Sequence, residues 1–411
     1  MNILKISYKN LSTKGLTNGL STLLMALGVG IISLILTVSK QLDEQFTNNI
    51  KGIDMVVGAK GSPLQLILSS IYQIDAPTGN INYAEAKSIT KNPFIKQAIP
   101  VSVGDSYAGY RIVGSDSTYI LHYKALLESG LLFKKPLECV VGNSVAKKLK
   151  LKIGDQLQTS HGLDSEGEKH EKSTYLITGI LSYNNSVIDQ LIITPLESVW
   201  NVHEHDGNQS NVLDLLEEED HPEKKAEATN QKEITALLVK FRNPMGLMTI
   251  PRNINTNTNM QAALPAIEIN RLFALLGVGV DTLKWMAFLI ILVSGISVFV
   301  SLFNSLKERK YEMALMLSLG ASRIQLFILL LLEGLFIGII GYFLGILISR
   351  LGLFWMSKAS EQNFHHQFDL LNLSLDDLFI FLACVFISFI AAALPSIGIY
   401  KINISETLSD Q

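Results

Sequence analysis

Charge is scarce in this chain of 411 residues: Asp, Glu, Lys and Arg together make up 17% of it, against 48% hydrophobic residues. Soluble domains carry about 25% charged residues. The shortage is uneven, and its distribution excludes a purely soluble protein. With 34 Lys and Arg against 37 Asp and Glu, the net charge is −3, which offers no basic excess for nucleic acid. Only two cysteines occur, Cys139 and Cys384, so neither a disulfide framework nor a thiolate metal site is indicated. The chain also lacks G-x-x-x-x-G-K-[ST], H-E-x-x-H, G-x-S-x-G and C-x-x-C. It therefore has no phosphate-cradling loop and no familiar catalytic centre of its own.

Four stretches hold almost no charge: 25 residues between Lys14 and Lys40, 22 between Lys284 and Lys307, 26 between Arg323 and Arg350 with only Glu333 inside, and 23 between Asp377 and Lys401. A hydrocarbon layer of about 30 Å needs roughly 20 apolar residues as helix, so each stretch is long enough to span. A cleaved signal peptide fits the first stretch poorly, since it starts late and no small-residue cleavage pattern follows. The expected fold class is an integral membrane protein with four transmembrane helices and a large extracytoplasmic mixed α/β domain on helical stalks. The domains are 1–39 (N-terminal segment and first span), 40–284 (outer domain) and 285–411. The last holds spans at about 285–306, 324–349 and 378–400. Lys5, Lys9 and Lys14 precede the first span, and Lys307, Arg309, Lys310 and Arg323 lie in connection 307–323, whereas connection 350–377 is acidic. The positive-inside tendency then places both termini and 307–323 in the cytoplasm.

In the outer region, short apolar runs bounded by turn residues read as strands: Ile53–Val57, Tyr107–Val113, Leu137–Val141, Tyr175–Leu181 and Leu191–Thr194. Asn143–Leu149 reads as a short helix with Asn143 as a candidate cap, and Lys152–Asp155 as a turn. Pro265 opens a periodic segment running into the second span. A helix from Pro265 to Leu306 would be about 63 Å long at 1.5 Å per residue; two helices broken near Gly277 or Gly279 are the alternative. Segment 201–233 holds ten Asp or Glu and too little apolar surface to order itself. His203, His205 and His221 sit in it, with His161 and His170 earlier. Two readings stand: a solvated acidic insertion, or weak zinc capture by imidazole and carboxylate. His365 and His366 read as polar residues of an outer connection.

Within the third span, Gly334, Gly338, Gly341 and Gly345 fall on one stripe about 60° wide at 100° per residue. Such a stripe lets another helix approach closely. Glu333 is an intramembrane acid roughly 15 Å from one end of the span, and is expected to face protein, water or a backbone donor; no second intramembrane acid is expected. Pro395 is placed to bend or end the fourth span. In connection 307–323, Met313, Leu315, Met316, Leu317 and Leu319 follow a charged first turn, Gly320 is placed to end the helix and Ser322 to cap the next. That short apolar-faced helix needs a surface, either lipid or the groove of another protein.

The stretch Lys307–Arg323 resembles the "RRREIALLRALGASRRQI" signature of FtsX/MacB-type ABC transporter permeases. The likeness continues through Glu333 and the glycines of "EGLFIGIIGYFLG". The opening "LKISYKNLSTKGLTNGLSTLLMALGVG", the closing "ALPSIGIYKINISETL" and the outer-domain "CVVGNSVAKKLKLKIGDQL" are similar to the family's corresponding segments, although Lys401 and Ile404 depart from the closing pattern. The resemblance implies a permease subunit of the mechanotransmission type in the bacterial inner membrane, not itself an enzyme. ATP and Mg would be held by a separate cytoplasmic ABC ATPase, and a second permease chain would complete a homodimer. It further implies that 307–323 is the coupling helix, with Glu308, Arg309, Glu312, Leu315, Leu319, Gly320 and Arg323 as coupling residues. Implied partners are membrane lipid and a periplasmic adaptor or carrier protein, with a peptide, lipoprotein or small molecule exported or extracted. A non-transporting regulator of a periplasmic protein and a metal-handling permease are the alternatives.

Overall fold

The computed structural model describes residues 7, 9, 15–161, 169–202, 232–363, 369 and 375–401. The chain packs as two compact units, one of residues 1–43 with 275–411 and the other of residues 44–274. Both divisions fall inside long helices, α1 (Gly15–Ile50) and α7 (Pro265–Glu308). Among the described residues, four helices are long and apolar enough to cross a membrane: Asn18–Ile50, Pro265–Glu308, Arg323–Lys358 and Leu375–Tyr400. In lipid the backbone must satisfy its own hydrogen bonds, and a helix does so within one segment. The helix of 44 residues from Pro265 is unbroken. Gly277 and Gly279 cause no break, and a Cβ at either would meet nothing within 4 Å. An isolated helical glycine costs only about 1 kcal/mol against alanine, which the surrounding hydrogen-bond ladder tolerates.

After α7 come α8 (Lys310–Ser318), α9 (Arg323–Asn363) and α10 (Leu375–Ser396). Pro395 lies one residue before the end of α10, and the chain tightens into a 3-10 turn at Ile397–Lys401. The loss of the Pro395 N–H removes one rung where the helix is already ending.

The unit of residues 44–274 is a mixed α/β domain. Its strands are β1 (Met55–Ala59), β2 (Ile81–Asn82), β3 (Ile95–Tyr107), β4 (Tyr110–Ser115), β5 (Leu127–Gly130), β6 (Glu138–Val141), β7 (Gln156–His161), β8 (Lys169–Leu181), β9 (Ile192–Pro195), β10 (Glu233–Ile234), β11 (Ala236–Phe241) and β12 (Met260–Ala263). The main sheet runs β12-β1-β11-β3-β4-β9-β6-β8-β5, with β7 joining β3 and β8. Pairs β4/β9 and β6/β8 are parallel and the other pairs antiparallel. Val56 and Leu238 enter one buried cluster, whereas Met55, Val57, Leu237 and Val239 enter another. Strands β1 and β11 are thus covered on both faces, which is why Met55–Val57 and Ala236–Val239 are continuous apolar runs instead of alternating ones. A third cluster gathers Tyr110, Ile112, Cys139, Val141, Tyr175 and Ile177.

Two local expectations are corrected. Tyr107–Val113 is not one strand. Ala108 (φ +50°) and Gly109 (φ +82°) form a two-residue turn, and Tyr107 pairs with Tyr110 across it. Paired left-handed residues give the turn whose twist matches a hairpin. Asn143 is not the cap of helix α5 (Asn143–Leu149): Gly142 holds that position without a side-chain bond. The buried Asn143 amide donates instead to Glu128 Oε2 at 2.7 Å and Leu181 O at 3.1 Å.

Candidate functional site

The connection between the second and third spans is built by its own sequence. Helix α7 continues to Glu308, so the short helix is α8, Lys310–Ser318, and not the whole of 307–323. Gly320 has φ +95°. Ala321 N donates to Met316 O at 2.9 Å and Gly320 N to Leu317 O at 3.1 Å, the paired bonds of a Schellman ending. Ser322 Oγ accepts from Gln325 N at 3.2 Å while Gln325 Oε1 accepts from Ser322 N at 3.0 Å. This reciprocal box starts α9. Met313 and Ala314 are buried against Leu326, Leu329, Leu330 and Ile399. Leu315 and Leu319 point away, 44% and 79% exposed. Helix α8 is therefore seated on its own bundle by one face and leaves two leucines uncovered. Glu308 and Arg323 are exposed, and Arg323 Nη1 donates to Tyr400 O at 3.1 Å.

Arg309 lies between two acids. Its Nε is 2.8 Å from Glu312 Oε2, and its Nη1 is 3.8 Å from Glu333 Oε1. Glu333, 5% exposed, thus has a cation as its neighbour within the bundle. A buried carboxylate beside a guanidinium is far less costly than an isolated one. Glu312 is accordingly a partner of Arg309 and not simply part of an outward face.

The glycines of α9 divide between two neighbours. A Cβ at Gly334 would strike Ala392, and one at Gly338 would strike the Ser388 hydroxyl, both on α10. At Gly341 it would stand 2.8 Å from Met25 Cβ, and at Gly345 2.7 Å from Val29 Cβ, both on α1. A single 60° stripe thus serves two helices, because α1 and α10 take successive lengths of it. Gly28 does the same on α1, where a Cβ would lie 2.7 Å from Ile291 of α7.

One buried cluster has no counterpart in the sequence reading. Arg350 Nη2 lies 2.8 Å from Asp377 Oδ2. Ser33 Oγ donates to Asp377 Oδ1 at 2.9 Å, Tyr342 OH donates to Asp377 O at 3.1 Å, and Arg350 Nη1 reaches Thr37 Oγ1 at 3.3 Å. Asp377 is 3% exposed, so Glu333 is not alone as a buried acid of the helical unit. The cluster ties α1, α9 and α10 together. Arg350 and Asp377 bound the charge-free stretches, and their pairing across 27 residues leaves no periodic signal in the sequence.

Among the described residues, no group of three His, Cys, Asp or Glu could hold a metal ion. His203, His205, His221, His365 and His366 lie outside the described residues, as do most of segment 201–233 and the His161 and His170 side chains.

Among the described residues, four helices long and apolar enough to cross a membrane, a short helix between the second and third, and an α/β unit between the first and second give the architecture of a multi-pass membrane protein with one large domain outside its spans. Residues 285–404 match the family model of the FtsX-like permease C-terminal domain, and residues 19–232 match that of the MacB-like periplasmic core domain, which alone covers more than half of the chain. The chain belongs to the FtsX/MacB family of ABC transporter permeases, whose members work with cytoplasmic ABC ATPases. It is 22% identical over 344 residues to the lipoprotein-releasing system transmembrane protein LolC of Buchnera aphidicola subsp. Schizaphis graminum (strain Sg), covering 80% of this chain and 77% of that one. Similar solved structures include the periplasmic region of MacB from Actinobacillus actinomycetemcomitans (TM-score 0.34, 11% identity, 55% of this chain and 97% of that one). Another is the extracellular domain of the ABC-type transporter YknZ from Gram-positive bacteria (TM-score 0.29, 12% identity, 51% and 98%).

Proposed function

We propose that this chain couples ATP hydrolysis by a separate cytoplasmic ATPase to movement of its α/β domain, thereby exporting or extracting a substrate at the bacterial inner membrane. Both termini and α8 lie in the cytoplasm on this reading, the α/β domain lies in the periplasm, and a second permease chain completes the assembly. The observation that carries it is the pair Leu315 and Leu319, left exposed on a helix whose other face is buried. Helix α8 stops in a Schellman ending, the capping box at Ser322 starts α9 directly after it, and Met313 and Ala314 are buried on the bundle, so those leucines are presented in a fixed place. An apolar patch held rigidly is suited to a partner's groove. The likeness to LolC supports a lipoprotein as the substrate, ahead of a peptide or small molecule.

The test is co-purification of the ATPase with the full chain and the ATPase rate of the complex. Leu315→Arg and Leu319→Arg should each reduce co-purification at least tenfold without changing membrane insertion, because an unpaired charge in an apolar groove costs several kcal/mol. Unchanged co-purification with both variants would reject the coupling role. Glu312→Arg is a less clean probe, since it also places a second cation beside Arg309.

A further inference from the structure

Helix α1 joins the sheet of the α/β unit through a short link. The helix ends at Ile50, Lys51 and Gly52 turn, and β1 begins at Met55. Strand β1 lies one place from the β12 edge of the sheet, and Gly52 has φ +87°. A glycine in the left-handed region after a helix is a ready pivot, because no Cβ opposes rotation there. With this covalent link alone, a displacement of α1 would be absorbed by turning about Gly52.

Side chains in the last two turns of α1 oppose that rotation. Asn49 is 2% exposed, and its Oδ1 accepts from the N–H of Val187 at 2.9 Å, 138 residues further on. Val187 opens the 3-10 turn Val187–Gln190, which leads directly into β9. Strand β9 lies inside the sheet, between β4 and β6. That turn is itself fastened. The buried Asp189 carboxylate accepts from Asn184 N at 3.0 and 3.1 Å and from Ser186 N at 3.4 Å. Gly142 packs against it so closely that a Cβ would lie 2.5 Å from Asp189 O. One turn earlier on α1, the Phe46 carbonyl accepts from Tyr72 OH at 2.8 Å, and the two rings lie 4.6 Å apart. The Phe46 ring also meets Phe273 of α7 edge-on at 5.5 Å.

A buried asparagine is an expensive choice for a helix face that merely packs, since its amide must be satisfied. Here its acceptor supplies what an apolar side chain cannot, a directional bond to one remote backbone N–H. We propose that Asn49 is the lock of this joint: it fixes α1 to the 187–190 turn, so that movement of α1 reaches the middle of the sheet instead of being lost by pivoting at Gly52. The inference rests on the reading of a chain driven by an ATPase, and it assigns a positioning residue for that coupling within the α/β domain.

The test uses the full chain in lipid nanodiscs with spin labels at Thr47→Cys and Ser129→Cys. Both positions are exposed, and the native thiols of Cys139 and Cys384 are buried. Asn49→Leu should broaden the distance distribution at least twofold. Asn49→Asp, which keeps an acceptor for the Val187 N–H, should leave it as narrow as in the unsubstituted protein. Asn49→Ala carries the same expectation as Asn49→Leu should the larger side chain prevent insertion. Equal widths for the Leu or Ala variant and the unsubstituted protein would overturn the lock, as would broadening by Asp to the same extent. With the ATPase bound, Mg·ATP should leave the distance fixed in the unsubstituted protein and shift it in Asn49→Leu. Failure of any ATPase to bind would count against the permease–ATPase reading, while the widths alone still decide the lock.

Discussion

The two compact units bury their residues by different means. In the α/β unit, Ile112, Ile177, Val140 and Ile193 are fully buried between sheet and helices. Removing such side chains from water supplies the stabilisation, at roughly 25 cal/mol per Å². In the helical unit, Leu344, Leu347, Phe343 and Phe386 remain outside the bundle. Its close contacts are glycine against side chain, as at Gly338 and Gly345, and buried polar pairs such as Arg350 with Asp377. Lipid tails are as apolar as leucine, so apolar burial cannot distinguish one helix arrangement from another there. Close approach and hydrogen bonds do so instead. The same composition of Leu, Ile and Val therefore has opposite meanings in the two regions.

The largest expected effect breaks the polar tie. Arg350→Met leaves Asp377 buried without its cation, and should destabilise the helical unit by about 3 kcal/mol or more. A double variant, Arg350→Met with Asp377→Leu, should recover much of that loss. Thermal unfolding of the detergent-purified chain measures both. A double variant as unstable as the single one would show that the pair is not the tie.

Next, Ile112→Ala should cost the α/β unit about 3 kcal/mol, through lost burial and a cavity. Leu347→Ala, on the outer face of α9, should change stability by no more than about 0.5 kcal/mol. Comparable losses at the two positions would erase the contrast between the units.

Glycine substitutions sharpen it further. Gly338→Leu must displace Ser388 and should cost about 2–3 kcal/mol, within the range for overpacking. Gly352→Leu meets only the Leu34 side chain, 3.3 Å from the added Cβ, and should cost less than half as much. Equal melting temperatures for the two variants would show that the stripe is not an interface.

The smallest effect is a pH dependence confined to the α/β unit. Burial, reinforced by the positive charge of Lys240, holds His122 below its ordinary pKa. A histidine depressed in the folded state binds fewer protons than the unfolded chain, so its contribution is present above the unfolded value of about 6.5 and is lost as pH falls through the folded one. His122→Gln should therefore lessen the loss of stability between about pH 7 and pH 5. Parallel pH profiles for the two proteins would remove His122 from the account.

Much of the architecture was legible in advance. Stretches without charge announce membrane helices because an unpaired charge in lipid is costly whatever its neighbours. The ending at Gly320 and the start at Ser322 are local devices, each complete within a few residues. The apolar runs of β1, β6 and β9 marked strands for the same local reason. Strand β5 (Leu127–Gly130) is not legible in the sequence, since all four residues are exposed and offer no apolar pattern. The β3/β4 hairpin was hidden because Ala108 takes a conformation that alanine rarely announces.

What the sequence alone determined is therefore whatever a segment decides for itself: which stretches enter lipid, where α8 stops, where a strand can form. Tertiary structure decided the pairings. It put Arg309 beside Glu333, Arg350 beside Asp377, and Asn49 under Val187, and it divided one glycine stripe between α1 and α10. A polar side chain in sequence declares only that it needs a partner. Which partner it finds depends on contacts 24 to 138 residues away, and these exist only once helices and sheet have packed.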